Sequence, residues 1–362
     1  MRTEHELAAA LRAAAGAAPD PDLLAGVAAR RRTRTRRRLL SVTAALAVIA
    51  AGTATAQLQR APDTVVAQRP PTQGPVAKVW PQALFTMPAK NGQGRHHRLI
   101  DALSATEILV VVDAERGETQ RFEIHDLAKK TQRVVTTLPD PRERVGDAVT
   151  DGKQVVWYTE PGKYRYYYRA PLTGGPTTRI HKQPLHPEPN AMTMNGETVY
   201  VTDAKGVTST VTGPAREWRR LYLITGPWAG DGPIVVTSKY TGINQTRLVN
   251  LKTGQEKRIA VPARAKGLRC GPVWCVGTRG GGEGFAQRID GSRFTPLMGY
   301  PAQYPIRDRF VQTSLLIKDL ETGTEARIED IQGWTGTSGS LVYWGDDTTY
   351  RVLNLAAVPA PQ

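Results

Sequence analysis

The stretch that decides the fold is Gln154-Val-Val-Trp-Tyr-Thr-Glu-Pro-Gly-Lys-Tyr-Arg-Tyr-Tyr-Tyr-Arg-Ala-Pro-Leu-Thr-Gly-Gly175. It opens on a β-prone run at 154–158 (QVVWY), too short for a helix and bounded by turn residues. A second β-prone run follows and ends in Leu172-Thr-Gly-Gly. The Thr-Gly supplies the positive φ of a tight turn between antiparallel strands.

The same events recur from residue 79 to 358. Short β-rich runs stand at 108–112 (ILVVV), 198–202 (TVYVT), 234–237 (IVVT), 272–276 (PVWCV) and 341–344 (LVYW). Related turns follow at Val211-Thr-Gly, Leu251-Lys-Thr-Gly, Ile289-Asp-Gly and Leu320-Glu-Thr-Gly. Leu127-Ala-Lys-Lys takes the same place without glycine. From Leu127 onward, successive turns lie 45, 39, 40, 38 and 31 residues apart. A multi-strand unit with a period near 40 residues marks a propeller blade. One blade cannot bury both its faces, so blades stack around an axis. Six units count directly, and 341–344 with 350–355 build a seventh. The expectation is an all-β propeller of six or seven blades over 78–358, with a disordered C-terminus at 359–362. Residues 78–85 (KVWPQALF) precede the first blade and are expected to supply the last blade's missing strand. A β-sandwich would not need this period.

The segment before the propeller has another texture. Residues 39–56 (LLSVTAALAVIAAGTATA) carry no charge. At about 1.5 Å per residue, such a helix just spans a bilayer core. Arg30, Arg31, Arg32, Arg34, Arg36, Arg37 and Arg38 stand immediately before it. Positive charge on that flank places the N-terminus in the cytoplasm and the propeller outside. These arginines are read as a topology signal and a contact for lipid headgroups, not as a nucleic-acid patch. The expected order is a partly helical cytoplasmic tail (1–38), one transmembrane helix (39–56) and a Pro-rich stalk (57–77). Ala54-Thr55-Ala56 leaves open a secreted product cleaved near Ala56, and Arg36-Arg37-Arg38 a twin-arginine signal.

The chain has 362 residues, 48 Lys+Arg against 33 Asp+Glu, 40% hydrophobic residues and two cysteines. That apolar content excludes wholesale disorder. Two cysteines exclude a four-cysteine zinc site and a disulfide-dense scaffold. Cys270-Gly-Pro-Val-Trp-Cys275 is expected to form a structural disulfide in an oxidising compartment. The six histidines show no helical H-x-x-x-H pattern and no acidic partner at ligand spacing. They are read as solvated loop residues, with no metal and no cofactor. Gly280-Gly-Gly-Glu-Gly284 lacks the Lys-Ser/Thr of a phosphate loop. Gly336-Thr-Ser-Gly-Ser340 lacks the final glycine of a nucleophile elbow, and no catalytic residue is assigned. The richest binding-like cluster is Tyr164, Arg165, Tyr166, Tyr168 and Arg169, aromatics among cations. In an ideal strand Tyr164, Tyr166 and Tyr168 share one face. Inter-blade packing competes with ligand binding for these tyrosines.

Lys78-Val-Trp-Pro81, the Cys270–Cys275 element, the Arg-rich segment and the Pro-rich stalk together resemble a group of actinobacterial membrane-anchored β-propeller proteins. The blades are similar to WD-type repeats, although the Gly-His and Trp-Asp dipeptides are missing. The resemblance implies a propeller and no activity. The reading that follows is a membrane-anchored, non-enzymatic binding or scaffolding module of the cell envelope. Its expected partners are the lipid bilayer and an anionic envelope polymer or protein ligand, with no nucleic acid. One alternative is a signalling protein whose residues 1–38 engage a cytoplasmic partner and regulate a sigma factor. Another is an exported hydrolase or lyase, which would need convergent carboxylates or histidines on inner strands.

Overall fold

The computed structural model describes residues 73–361, apart from 115–117, 186–190, 204, 233–242, 281, 302–303 and 332. The tail, the apolar segment 39–56, the seven topology arginines, residues 57–72, the 234–237 run and His186 lie outside the described residues. Among the described residues no helix is long and apolar enough to cross a membrane.

Seven four-stranded sheets make up the fold. Blade 1 runs through His97–Ala102, Glu107–Val112, Arg121–Asp126 and Thr131–Thr137. Blade 2 comprises Val145–Thr150, Gln154–Thr159, Tyr164–Pro171 and Thr178–Pro184, and blades 3, 4 and 5 repeat this meander to Leu297. First strands of neighbouring blades abut, as His97–Ala102 does Val145–Thr150, so the first strand is the inner one. Second strands are buried on both faces, which explains their unbroken apolar runs such as Ile108 to Val112. The six recurrent turns all join the third strand to the fourth or, in blade 6, the second to the third of its consecutive strands. Gly174, Gly213, Gly254, Gly291 and Gly323 in these turns have positive φ. In the glycine-free turn Lys130 takes that conformation itself, at φ 56.

The blade count is therefore seven, and the ring closes through the N-terminal segment. Leu84–Pro88 pairs antiparallel with Thr349–Asn354 and completes blade 7. The expected closing strand is present but starts later than Lys78. Val76–Val79 is one helical turn and Pro81–Ala83 a 3-10 turn. Residues 73–77, read from sequence as the end of the stalk, belong to the propeller. Gln73–Pro75 pairs parallel with Glu325–Arg327 on the outer edge of blade 6. That strand brings the blade 6 sheet to four strands, while the segment before Phe310 pairs only through the bridges Pro301 to Thr313 and Ile306 to Phe310. Having one strand fewer of its own is what shortens the last turn spacing.

Among the described residues the core is divided rather than single. Seven apolar clusters occupy the seven blade interfaces. Blades 1 and 2 meet through Phe122, Trp157 and Tyr168, with Phe122 and Trp157 ring centroids 4.8 Å apart. Trp80 wedges between blades 6 and 7, edge-on to Phe310 at 5.9 Å.

Candidate functional site

The aromatic and basic cluster falls on the two outermost strands of blade 2. Packing on both faces of the strand divides it. Tyr167 and Tyr168 are both buried, on opposite faces of a strand packed between two neighbouring blades. Tyr168 fills the blade 1 interface and donates its hydroxyl to Glu143 at 3.0 Å. Tyr167 faces blade 3. Arg165 is buried, paired with Glu160 and set 4.9 Å from the Tyr158 ring. Tyr168 and Arg165 thus leave the proposed surface and serve packing.

Tyr164 is exposed and Tyr166 is partly buried against the blade 1 interface, and the neighbouring edge strand brings cations to both. Lys182 pairs with Tyr166 in register, and its ammonium sits 3.8 Å from the Tyr164 ring centroid. The Arg179 guanidinium lies 5.5 Å from Tyr166. Arg169 is half-buried opposite Thr178, on the strand's other face, and does not join them. Neither Tyr164–Pro171 nor Thr178–Pro184 contains an acid. The result is an exposed ledge of alternating rings and cations on an open strand edge. Lys182 and Arg179 were invisible to sequence reasoning as members, because only hairpin register places them there.

A second polar feature lies at one end of the axis, where inner strands turn outward. A cavity of about 330 Å³ is lined there by Asp101, Thr225, Tyr304, Arg307, Ser338 and Ser340. Asp101 reaches from blade 1 to blade 7 and accepts the Ser340 backbone N–H at 2.7 Å. Burial raises its pKa, against those backbone hydrogen bonds. Asp308 does the same between blades 6 and 5. It accepts the Trp274 N–H at 3.0 Å, inside the loop bounded by Cys270 and Cys275. Burial pushes its carboxyl up to about 6. The two cysteines are directly opposite across their hairpin and form a buried disulfide. Inner strands therefore do carry carboxylates, Asp101 and Asp147, which the sequence had not disclosed. Asp101 holds a neighbouring turn.

The histidines depart furthest from expectation. His97 and His125 are not solvated loop residues. They sit on the first and third strands of blade 1, 4% and 8% exposed, with rings 4.9 Å apart. Glu123 stands beside them, its Oε2 2.9 Å from His125 Nε2. The signal was Glu123-x-His125, two strand positions on one face. His97 lies 28 residues back or so, beyond the range in which spacing is informative.

No family model matches the chain, and no curated protein matches it. Solved structures share its architecture at low identity. An uncharacterised protein of Listeria monocytogenes aligns at 8% identity with a TM-score of 0.47, over 72% of this chain and 92% of its own. The β-propeller domain of Cps50 (Swd1) from Myceliophteria thermophila aligns at 10% and 0.42, over 75% of this chain and 99% of its own. The C-terminal WD40 domain of Sif2 aligns at 11% and 0.41, over 72% and 80%. These are likenesses of fold, and the chain is a seven-bladed propeller with WD40-like neighbours.

Proposed function

We propose that the protein is a binding or scaffolding module anchored at the cell envelope, and that it takes an anionic polymer along the outer edge of blade 2. The observation that carries this reading is the acid-free ledge of Tyr164, Tyr166, Arg179 and Lys182. Rings stack on sugar or peptide faces while the cations meet the ligand's negative groups. The net charge of +15 favours approach of a polyanion to the whole molecule. The buried disulfide fits an oxidising compartment, and Arg30–Arg38 before the apolar 39–56 segment fits an anchor with the propeller outside.

Heparin serves as a soluble probe polyanion for the full-length protein. The double variant Arg179→Glu/Lys182→Glu is expected to weaken binding at least about tenfold at low salt. The slope of log affinity against log salt should also shrink by about two, one per lost cation, by counterion release. Unchanged affinity and slope in the folded double variant remove blade 2 as the binding surface.

A further inference from the structure

The cluster in blade 1 has a donor set, a geometry and an unfilled valence that hydrogen bonding alone does not explain. His97, Glu123 and His125 each offer one ligand atom, and the three atoms lie within 4.8 Å of one another. His97 Nδ1 is 3.0 Å from the Pro88 carbonyl oxygen. A carbonyl only accepts, so Nδ1 carries the proton and donates it. Nε2 then holds a lone pair. That nitrogen is buried and has no hydrogen-bond partner, on a side chain 4% exposed. Glu123 is 1% exposed, with Oε1 held by Arg121 Nε at 2.5 Å and Oε2 turned to His125.

We propose that His97, Glu123 and His125 bind a divalent transition metal with the ligand preferences of zinc. Two imidazole nitrogens and one carboxylate are a three-ligand set of the kind that leaves a fourth position open. Ligating histidines ordinarily donate their other N–H to a carbonyl, which fixes the tautomer; Pro88 does this for His97. Arg121 fixes the carboxylate plane through the oxygen the metal does not need. Metal binding replaces the hydrogen bond between His125 and Glu123, the imidazole proton of His125 moving from Nε2 to Nδ1 as the neutral ring changes tautomer.

The position also has a consequence. His97 and His125 line a cleft of about 910 Å³ between the closing strand Leu84–Pro88 and the outer half of blade 1. A fourth ligand, water or another oxygen donor, would enter from that cleft. Because Pro88 ends the closing strand, an occupied site ties blade 7 to blade 1 at the point where the ring is joined without a covalent bond.

The competing account is an Arg121–Glu123–His125 network with no metal, which leaves His97 Nε2 without a role. Full-length protein free of any histidine tag, stripped with chelator, separates the two. Titration with Co(II) is expected to give saturable one-to-one binding in the micromolar range, with visible d–d absorption of a low-coordinate site. Zn(II) should compete and should raise Tm with its concentration. His97→Ala should weaken Co(II) binding at least about tenfold, and His181→Ala, on blade 2, should leave it unchanged. Zinc-edge X-ray absorption of the wild-type protein, which needs no variant to fold, should show two imidazoles in the first coordination sphere. Absence of saturable Co(II) binding up to millimolar concentration overturns the proposal. So does a folded His97→Ala protein that binds as tightly as wild type, or an absorption spectrum without imidazole scattering.

Discussion

Lys130 shows how far single residues follow the blade plan. It occupies the turn position that Gly254 fills in blade 4, and both have positive φ, 56 and 76. A side chain there costs about 1–2 kcal/mol, partly offset because glycine loses more backbone entropy on folding. Asp126 compensates in blade 1. Its Oδ1 accepts the Ala128 and Lys129 N–H groups, as Asn250 Oδ1 does for Lys252 and Thr253. Lys130→Gly is therefore expected to stabilise the chain by about 0.5–1 kcal/mol, and Gly254→Ala to destabilise it by about 1 kcal/mol. No atom lies within 4 Å of an added Cβ at Gly254, so steric crowding does not confound the second measurement. Urea denaturation of both variants checks the opposite signs. Asp308 gives a pH effect. Its folded pKa, about 6, stands above the ordinary 3.8, so between pH 4 and 6 the folded chain binds a proton the unfolded chain has lost. Stability must fall as pH rises through that window, by roughly 2 kcal/mol in all. Asp308→Asn keeps an acceptor for the Trp274 N–H and tolerates the residue's φ of 51. It should remove most of that slope and be the more stable protein at pH 7 in thermal melts across pH 4–7.

At the scale of elements, the second strands were legible because burial on both faces makes them continuous apolar runs. The third-to-fourth turns were legible because positive φ selects glycine at a fixed place. The preceding Asx was present in Asp126, Asn250 and Asp319 and is the stronger half of that signal where glycine is missing. The parallel strand Gln73–Pro75 was not legible. Its sequence, Gln-Gly-Pro, has no β propensity, and only the exposed edge of blade 6 recruits it. Nor did pattern alone place Tyr168 inside and Tyr164 outside, since strict alternation puts them on one face. The metal-ligand cluster was hidden for a different reason. Its members come from two strands separated by a third, and hairpin register is set by packing rather than by spacing. Lys78-Val-Trp-Pro81 also takes on a physical role, as the wedge that seats the closing strand. Trp80→Ala removes a side chain only 5% exposed and leaves a void between blades 6 and 7. A loss of about 3–5 kcal/mol is expected. Calorimetry checks it, and a loss below about 1 kcal/mol means the wedge does not hold that seam.

For the whole molecule, seven interface clusters in place of one core mean that stability is shared among neighbouring blades, each depending on two others. A linear array of blades would leave two apolar faces bare at its ends; the ring leaves none. What the ring needs is one joint that the chain does not make covalently, and that joint is the ladder from Leu84↔Leu353 to Pro88↔Thr349. Opening it frees blade 7 from its outer strand and uncovers the Met87, Tyr350 and Val352 contacts with blade 1. The seam should therefore be where unfolding begins, and cross-linking it should slow unfolding more than cross-linking within a blade. Thr86 and Arg351 are paired in register there, Thr86 exposed and Arg351 partly so, with Arg351 giving up only an exposed ion pair to Asp330. A Thr86→Cys/Arg351→Cys disulfide closes a very long loop, for which chain entropy predicts stabilisation of about 5 kcal/mol as an upper value. The cross-linked protein should show a higher Tm and slower unfolding in denaturant. The native Cys270–Cys275 bridge closes only a short hairpin within blade 5 and should add far less, about 2 kcal/mol. If the oxidised Thr86→Cys/Arg351→Cys protein unfolds as fast as wild type, the joint is already the last part of the ring to open. Failure would then start at another blade interface.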